Sequence, residues 1–322
     1  MKMFSLIKMP RIVLGSASPL LAMVAGRSLV APALRTGQTF VKCYSVGIHP
    51  NRRAHEERKL NEKMKELAHK RETTVRDLLV EYERHQGKMG IVNVSSVLIQ
   101  LAQLARRRGD SHLSTITAAG STFDHLARRS FDLLPKMSAH SLADVALAYS
   151  LLSITDRDSL ERLWRNLEAK AQDLLPKDLT KLADALLTYS QLKASTSAPH
   201  TVNPVTPPPL EKDLAELPLP LETLVPLVAR ASVAQLPQFT AQNLISITTI
   251  LPKLGEAAEG HLDALFSGVA EQAISKIHLF DPAQLEDLAW AFARAKRESS
   301  PLLAAIKHQG SLLGVHFDEL KL

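Results

Sequence analysis

The side chains that could do chemistry in this sequence are histidines beside aspartates and two short runs of arginine. His112 lies two residues after Asp110, and His125 directly follows Asp124. Close neighbours in sequence point to different faces of a helix, so neither pair predicts a metal site or an acid–base pair. The other histidines are scattered and have no ligand spacing.

Known catalytic patterns are absent from the sequence. It has no Gly-rich phosphate loop ending in Lys-Ser or Lys-Thr, no GxGxxG, no HExxH and no GxSxG. Its one cysteine, Cys43, excludes thiolate clusters and zinc ribbons. We therefore expect no enzymatic activity, no catalytic residue, no metal, no cofactor and no small-molecule substrate.

The arginine runs predict a different kind of site. Arg106, Arg107 and Arg108 are consecutive, and Arg128 and Arg129 follow about one helix later. Residues 52–130 hold 16 basic and 10 acidic residues, a net charge of +6, whereas residues 131–322 hold 17 basic and 23 acidic residues, a net charge of −6. Because phosphate contacts need clustered Lys or Arg, the five arginines are candidates for binding RNA or an acidic protein. The alternative is a solvated basic face.

The N-terminal segment predicts import into mitochondria. Residues 1–55 contain eight basic residues and no acid, which is typical of a presequence. A processing-site pattern at 42–45, Lys-Cys-Tyr-Ser, predicts a presequence over 1–44 and a neutral mature protein in the mitochondrial matrix, with 33 residues of each sign. A signal anchor is the alternative, but two prolines and an arginine interrupt the apolar stretch 12–34, so we expect no membrane span.

Leu and Ala recur at three- and four-residue spacing after residue 56, and alternating strand patterns are scarce. This periodicity predicts an all-α protein. Four segments share one pattern: SLADVALAYS at 141–150, KLADALLTYS at 181–190, NLISITTI at 243–250 and QLEDLAWAFA at 284–293. A degenerate copy lies at 93–102.

The spacing of these segments predicts a repeat. Their leading leucines are separated by 40, 62 and 41 residues. The long interval contains the Pro-rich stretch 194–220, and removing an insertion of about 22 residues restores a period of about 40, which is typical of helical hairpins. A second helix precedes each segment. We therefore predict an α-solenoid of about five helix-turn-helix repeats.

The predicted organisation has four parts after the presequence. A linker and one long charged amphipathic helix occupy 45–88, with the helix at 53–86 either covering the end of the solenoid or docking on a partner. Helical repeats occupy 89–193 and 221–322, and the Pro-rich loop at 194–220 separates them. The predicted repeat core comprises Leu142, Tyr149, Leu182, Tyr189, Leu244, Leu285, Trp290 and Phe292.

Two kinds of residue recur in the repeats and allow two interpretations each. The aromatic residues fall on the apolar side of their helices, which favours core packing over base stacking. Asp144, Asp184 and Asp287 occupy one repeat position. An acid there could bind a base edge or a partner's arginine, or it could cap or pair within the repeat.

The pattern at 285–293, with its relatives at 142–150 and 182–190, resembles the octotricopeptide-type repeats of organellar RNA-binding proteins and the related heptatricopeptide-type and FAST-kinase-like arrays. The resemblance covers about residues 90–310. It implies RNA binding, RNA maturation or a place in the mitochondrial ribosome, usually without catalysis. Many such proteins carry a C-terminal RAP domain, and nothing after Ala295 has the length expected of one.

Two functions are therefore expected from different classes. The first is a non-catalytic mitochondrial RNA-associated scaffold, either a lineage-specific ribosome component or an RNA-maturation factor. It would bind RNA through the basic N-terminal half, and it would bind neighbouring proteins of a large assembly through its other surfaces. The second is a protein-only scaffold, such as an accessory subunit of a respiratory-chain or ATP synthase complex.

Overall fold

The structure is a computed structural model that describes residues 50–108, 112–197, 221–297 and 299–315. These ranges contain twelve α-helices packed together and no strand, so the predicted all-α class is confirmed. The predicted presequence and residues 198–220 of the predicted Pro-rich loop lie outside the described ranges.

The helices are joined by short turns, several of them 3-10 turns. In chain order they are α1 Pro50–His69, α2 Val75–His85, α3 Ile91–Arg108, α4 His112–Leu133, α5 Ala139–Leu151, α6 Arg157–Ala169, α7 Pro176–Ser197, α8 Leu221–Gln235, α9 Ala241–Ile250, α10 Glu256–Ser275, α11 Pro282–Arg294 and α12 Ser300–Leu312. Helix α4 is interrupted at Gly120, whose φ of 55° lies in the left-handed region that glycine adopts without strain.

Helices of the same parity contact one another in chain order. Each odd helix contacts the next odd helix, from α1 to α11. Among the even helices, α2 contacts α4, and α8, α10 and α12 contact in succession. One apolar core runs through these contacts from Met64 to Ile306. Burial of apolar side chains between successive helices is thus the main stabilising term of the fold.

A recurring turn links each even helix to the next odd helix. The even helix ends in a 3-10 turn, and the residue after that turn is large, apolar and buried. The five such residues are Met89, Met137, Leu174, Phe239 and Phe280. A polar residue follows in three cases and caps the next helix by accepting a backbone N–H, namely Ser138, Thr240 and Asp281.

A long polar side chain near the end of an even helix donates to backbone carbonyls of the preceding turn. We call this contact the carbonyl clamp, and its four donors are Arg129, Lys170, Gln235 and Lys276. Lys276 Nζ donates to Pro237 O at 2.7 Å and to Phe239 O at 2.9 Å, and Lys170 donates to Pro135 O at 3.2 Å and to Met137 O. The clamps satisfy carbonyls that 3-10 turns leave without an intrahelical partner.

The region predicted as one helix over 53–86 forms two helices, so that prediction was wrong. Helix α1 ends at His69, and α2 begins at Val75. Thr74 caps the start of α2 with a capping box, in which its hydroxyl accepts Asp77 N–H and the Asp77 carboxylate accepts Thr74 N–H. A capping box favours a new helix start over continuation. Both helices pack on α3, as an end-covering hairpin would.

One carboxylate stabilises this hairpin from within. The Glu81 side chain on α2 is 9% exposed and lies against Lys63 of α1, Arg84 and His85. The hydrogen bond from Lys63 is the main reason that the pKa of Glu81 lies below its ordinary value of 4.5, and His85 and Arg84 lower it further, whereas burial opposes the shift. The ionised form is therefore the one that the folded state prefers.

We expect Glu81→Gln to lower the free energy of unfolding by about 1 kcal/mol at neutral pH. The effect is kept this small because Lys63 is exposed and solvent screens its ion pair with Glu81. Because the folded pKa of Glu81 is depressed, its contribution is fully present above pH 4.5 and is lost as pH falls through the folded pKa. Chemical denaturation across this range should show the two proteins converging in acid. The exposed Glu72→Gln is the control, and equal losses in both variants at neutral pH would contradict the prediction.

Candidate functional site

The predicted arginine site has members with different surroundings. Arg106 of α3 is 63% exposed, and its Nη1 lies 3.5 Å from Asp184 of α7. Arg107 donates to Gln103 O at 3.3 Å and to Ala68 O at 3.0 Å. The structure therefore uses Arg107 to join the ends of α3 and α1. The side chain of Arg108 lies outside the described part of the structure.

The two arginines of the pair Arg128 and Arg129 have different surroundings. Arg129 is half-buried and forms the first carbonyl clamp, donating to Met89 O at 2.6 Å and to Gln86 O. Arg128 is exposed. A guanidinium held by two carbonyls is not free to bind phosphate, so Arg129 is a structural residue. Arg106, Arg107 and Arg128 are all exposed, but Arg107 donates to Ala68 O. Arg106 and Arg128 are therefore the predicted site residues best suited to a polyanion, because an exposed ion pair such as Arg106–Asp184 is weak.

The three recurrent aspartates also differ in their burial and their partners. Asp144 is buried and accepts Lys181 Nζ at 2.6 Å, with His140 at 3.6 Å. Asp184 faces Arg106, as described above. Two of the three recurrent acids therefore pair between helices, whereas Asp287 is exposed on α11. Neither pair lies within one predicted repeat, because Asp144 pairs with Lys181, 37 residues away, and Asp184 pairs with Arg106 of α3.

Of the two histidine–aspartate neighbours, Asp110 and the side chain of His112 lie outside the described part of the structure. In the other pair, His125 Nδ1 lies 3.1 Å from the Tyr82 hydroxyl. A different histidine, His140, has its Nδ1 2.6 Å from the fully buried Asp178, whose carboxylate also accepts Leu175 N–H. This contact joins α5 to the start of α7. No group of three or more His, Cys, Asp and Glu in the described ranges could hold a metal ion.

Seven of the eight predicted core residues are buried. The four leucines are fully buried, as are the two tyrosines, whose hydroxyls reach Ser130 and Ile154 O. Burial raises the pKa of Tyr189 well above its ordinary value of 10.0, and Tyr149 shifts in the same direction for the same reason. Phe292 packs edge-on against Phe266, with ring centroids 4.8 Å apart.

Trp290 is the exception, and its assignment to the core was wrong. Its side chain is 53% exposed on α11. In the repeat alignment Trp290 corresponds to Leu147 and Leu187, which are both buried. Between α9 and α11 the same face lines an open groove instead. An indole is also too large for a space that fits leucine in the other repeats.

The groove between α9 and α11 has a volume of about 560 Å³. One wall is the α11 stripe Asp287, Trp290 and Arg294, spaced by three and four residues. The opposite wall is a stripe of α9 and the turn after it, and its polar members are Gln242, Ser246, Thr249 and Lys253. These spacings place each stripe on one helix face. The groove thus combines an aromatic face with two cations, one carboxylate and several hydrogen-bonding groups.

Sequence reasoning missed this groove, although one signal was present. Trp290 stands where the two most similar repeats have leucine, and Arg294 follows one helical turn later. A tryptophan that replaces leucine in an otherwise regular repeat marks a position where the packing differs. The separation of α9 and α11 could not be read from the sequence.

Comparisons with known proteins identify no family for this chain. No protein-family model matches its sequence. No curated protein matches it either. Function is therefore inferred from the side chains, their charges and the order of the helices.

None of the described helices combines the length and the apolar character that crossing a membrane requires.

Proposed function

We propose that the chain is a non-catalytic, RNA-associated scaffold of the mitochondrial matrix, built as an α-solenoid of about five helix-turn-helix repeats. The successive odd-helix contacts, the recurring 3-10 turn and the carbonyl clamps support the repeat architecture. In this arrangement α1 and α2 form a further hairpin that covers the first repeat. A large surface of adjacent helices suits a scaffold, since each repeat contributes binding area without a catalytic centre.

The observation that carries the proposal is the charge difference between the two halves of the chain, together with exposed arginines in the basic half. Residues 52–130 have a net charge of +6. Arg106 and Arg128 are exposed there, and several other cations on α1, α2 and the turn after α2 are exposed as well: Arg58, Lys59, Arg76 and Lys88. RNA phosphates are the polyanion that such a surface binds most readily.

The acidic half has a different role in the proposal. Residues 131–322 have a net charge of −6, so they repel a phosphate backbone and suit basic surfaces of neighbouring proteins. A component of the mitochondrial ribosome or an RNA-maturation factor would use both halves at once. The acid-free segment 1–55 supports the mitochondrial location.

We expect the full chain to bind single-stranded RNA with a strong dependence on salt, and Arg106→Gln with Arg128→Gln to weaken that dependence. Each lost phosphate contact reduces the slope of log K against log salt by about 0.7, so the double variant should lose about 1.4 from the slope. Fluorescence anisotropy of labelled RNA over a salt series measures both quantities.

Lys307→Gln is the matched control, because Lys307 is an exposed cation in the acidic half. It should leave the slope unchanged. Absence of salt-dependent RNA binding by the unmodified chain would overturn the proposal, and an equal effect of Lys307→Gln would show that general charge, rather than the named arginines, is responsible.

A protein-only scaffold is the second candidate, and the internal use of Arg107 and Arg129 favours it. Sedimentation of organelle extract separates the two. Movement with a large particle that collapses on nuclease treatment supports the RNA-associated scaffold. Movement with a detergent-extracted membrane complex, unchanged by nuclease, supports an accessory subunit of a respiratory-chain or ATP synthase complex.

A further inference from the structure

We propose that the groove between α9 and α11 binds one unpaired nucleotide of single-stranded RNA, with the base on the Trp290 indole and the phosphate at Arg294 and Lys253. This proposal rests on the proposed function and extends it, because it assigns an RNA contact to the acidic half of the chain, outside the basic N-terminal half. The site was built above from the two stripes that line the groove.

The first support is the exposure of Trp290. A tryptophan that stabilises a helical repeat is normally buried, as Trp164 is at 4% exposure. Trp290 leaves more than half of its surface in solvent, and Phe292 on the same helix provides the packing against α10. The indole therefore contributes little to the core. An exposed indole face beside cations is the arrangement on which unpaired bases stack.

The second support is the charge of the groove. Arg294 lies one helical turn after Trp290, and Lys253 lies across the groove from α11. Against these two cations the groove has one acid, Asp287. The groove is thus net positive within a half of the chain that is net negative. A phosphate next to the stacked base would meet both cations, and the surrounding acids would limit RNA binding to this place.

The third support is the hydrogen-bonding capacity of the walls. Gln242, Ser246 and Thr249 present amide and hydroxyl groups along α9, and Asp287 presents a carboxylate on α11. These groups can donate to and accept from the edge of a base, and a carboxylate accepts from an exocyclic amino group. The volume of about 560 Å³ falls within the range of about 300–1,000 Å³ typical of small-ligand sites.

A nucleotide fits this groove better than an apolar side chain of a partner protein does. An apolar anchor would cover Arg294 and Lys253 and remove their water without pairing their charges, which is unfavourable. A nucleotide pairs those charges and stacks on Trp290 together. The wall opposite α11 mixes apolar and polar side chains, which suits a base that packs through its face and forms hydrogen bonds at its edge.

The sequence contains two tryptophans, one buried and one in the groove, which permits a direct optical test. Stacking of a base should quench the fluorescence of Trp290 and leave that of Trp164 unchanged. The full chain is titrated with a short oligouridylate, a short oligoadenylate and uridine monophosphate. We expect saturable quenching by the oligonucleotides and its loss in Trp290→Phe, which retains an aromatic ring but leaves only the buried reporter.

Binding measured by anisotropy completes the test. Trp290→Ala should weaken binding of the oligonucleotide by about 5- to 150-fold, the range for loss of one base–aromatic stack, while Trp290→Phe should weaken it less. Arg294→Gln should reduce the salt slope by about 0.7. The control Leu279→Ala removes another exposed apolar side chain of the same half and should change neither value.

The outcomes separate the groove from the scaffold. RNA binding that is sensitive to Arg106 and Arg128 but causes no quenching, and that Trp290→Ala leaves unchanged, overturns the groove proposal and leaves the scaffold proposal standing. Quenching by uridine monophosphate without salt-dependent RNA binding supports nucleotide binding in the groove and overturns the RNA-associated scaffold. Absence of quenching by both oligonucleotides and by uridine monophosphate overturns the nucleotide assignment.

Discussion

Replacement of Phe292 by Ala is expected to lower the free energy of unfolding by about 3–5 kcal/mol, the usual cost of truncating a buried phenylalanine. Phe292 is 3% exposed, and its ring meets Phe266 of α10 at a centroid distance of 4.8 Å with an interplanar angle of 81°. The substitution removes this edge-on contact and leaves a cavity between α10 and α11. Denaturant unfolding followed by far-UV circular dichroism measures the loss.

Trp290→Ala is the matched control on the same helix, two residues away. Because its indole is largely in solvent, the change in stability should stay within about 0.5 kcal/mol. The pair thus tests whether α11 buries the face that contains Phe292 and leaves the Trp290 face open. A loss from Trp290→Ala as large as that from Phe292→Ala would contradict the structure of the groove.

The second large effect is expected at the carbonyl clamps. Replacing both Lys170 and Lys276 by Met should lower the free energy of unfolding by about 3–6 kcal/mol, since a hydrogen bond from a charged donor contributes about 1.5–3 kcal/mol. Methionine preserves the aliphatic packing of the lysine stem, so the loss reports the ammonium group. The two clamps share no partner, and their effects should add.

Calorimetric melting of the single and double variants provides the measurement. The control pair is Lys177→Met with Lys307→Met, which removes two exposed lysines from other helices and keeps the net charge equal to that of the double clamp variant. We expect the control pair to melt close to the unmodified chain. Equal melting temperatures for the two double variants would show that net charge, and not the clamp, determines stability.

Much of the helical framework could be predicted because its signals are local. The leucines at 142, 182, 244 and 285 follow the helical period, and their burial requires only that each helix has an apolar face. Pro135, Pro237 and Pro282 mark turns or helix starts at positions that the sequence alone identifies. Local rules therefore determine where most helices begin and end.

The prediction of one helix over 53–86 was wrong because a local pattern competes there with a signal of a different kind. Continuous amphipathic spacing predicted one helix over 53–86, but the Thr74–Asp77 capping box starts a new helix there. The site of clustered arginines stays a prediction, but the contacts of two of its members could not be foreseen. Arg107 and Arg129 donate to carbonyls 39 to 43 residues away in the chain, and contacts at that separation leave no periodic pattern in the sequence.

The assignment of Trp290 to the core was wrong for a different reason. Its position in the repeat predicts burial, because the equivalent residues in two other repeats are buried leucines. Whether that position is covered depends on how closely α9 and α11 approach, and this distance results from the packing of both helices against their other neighbours. The open groove is thus a property of the assembled helices rather than of any one segment.

The carbonyl clamps also have a consequence for the order in which the chain folds. Each clamped turn is completed by a donor that lies C-terminal to it, 33 to 39 residues away for the two lysine clamps. A hairpin emerging from a ribosome or a translocation pore has its turn carbonyls satisfied only when the next hairpin arrives. We therefore expect the four clamps to form in order from the N-terminus during synthesis, each after the following pair of helices has folded.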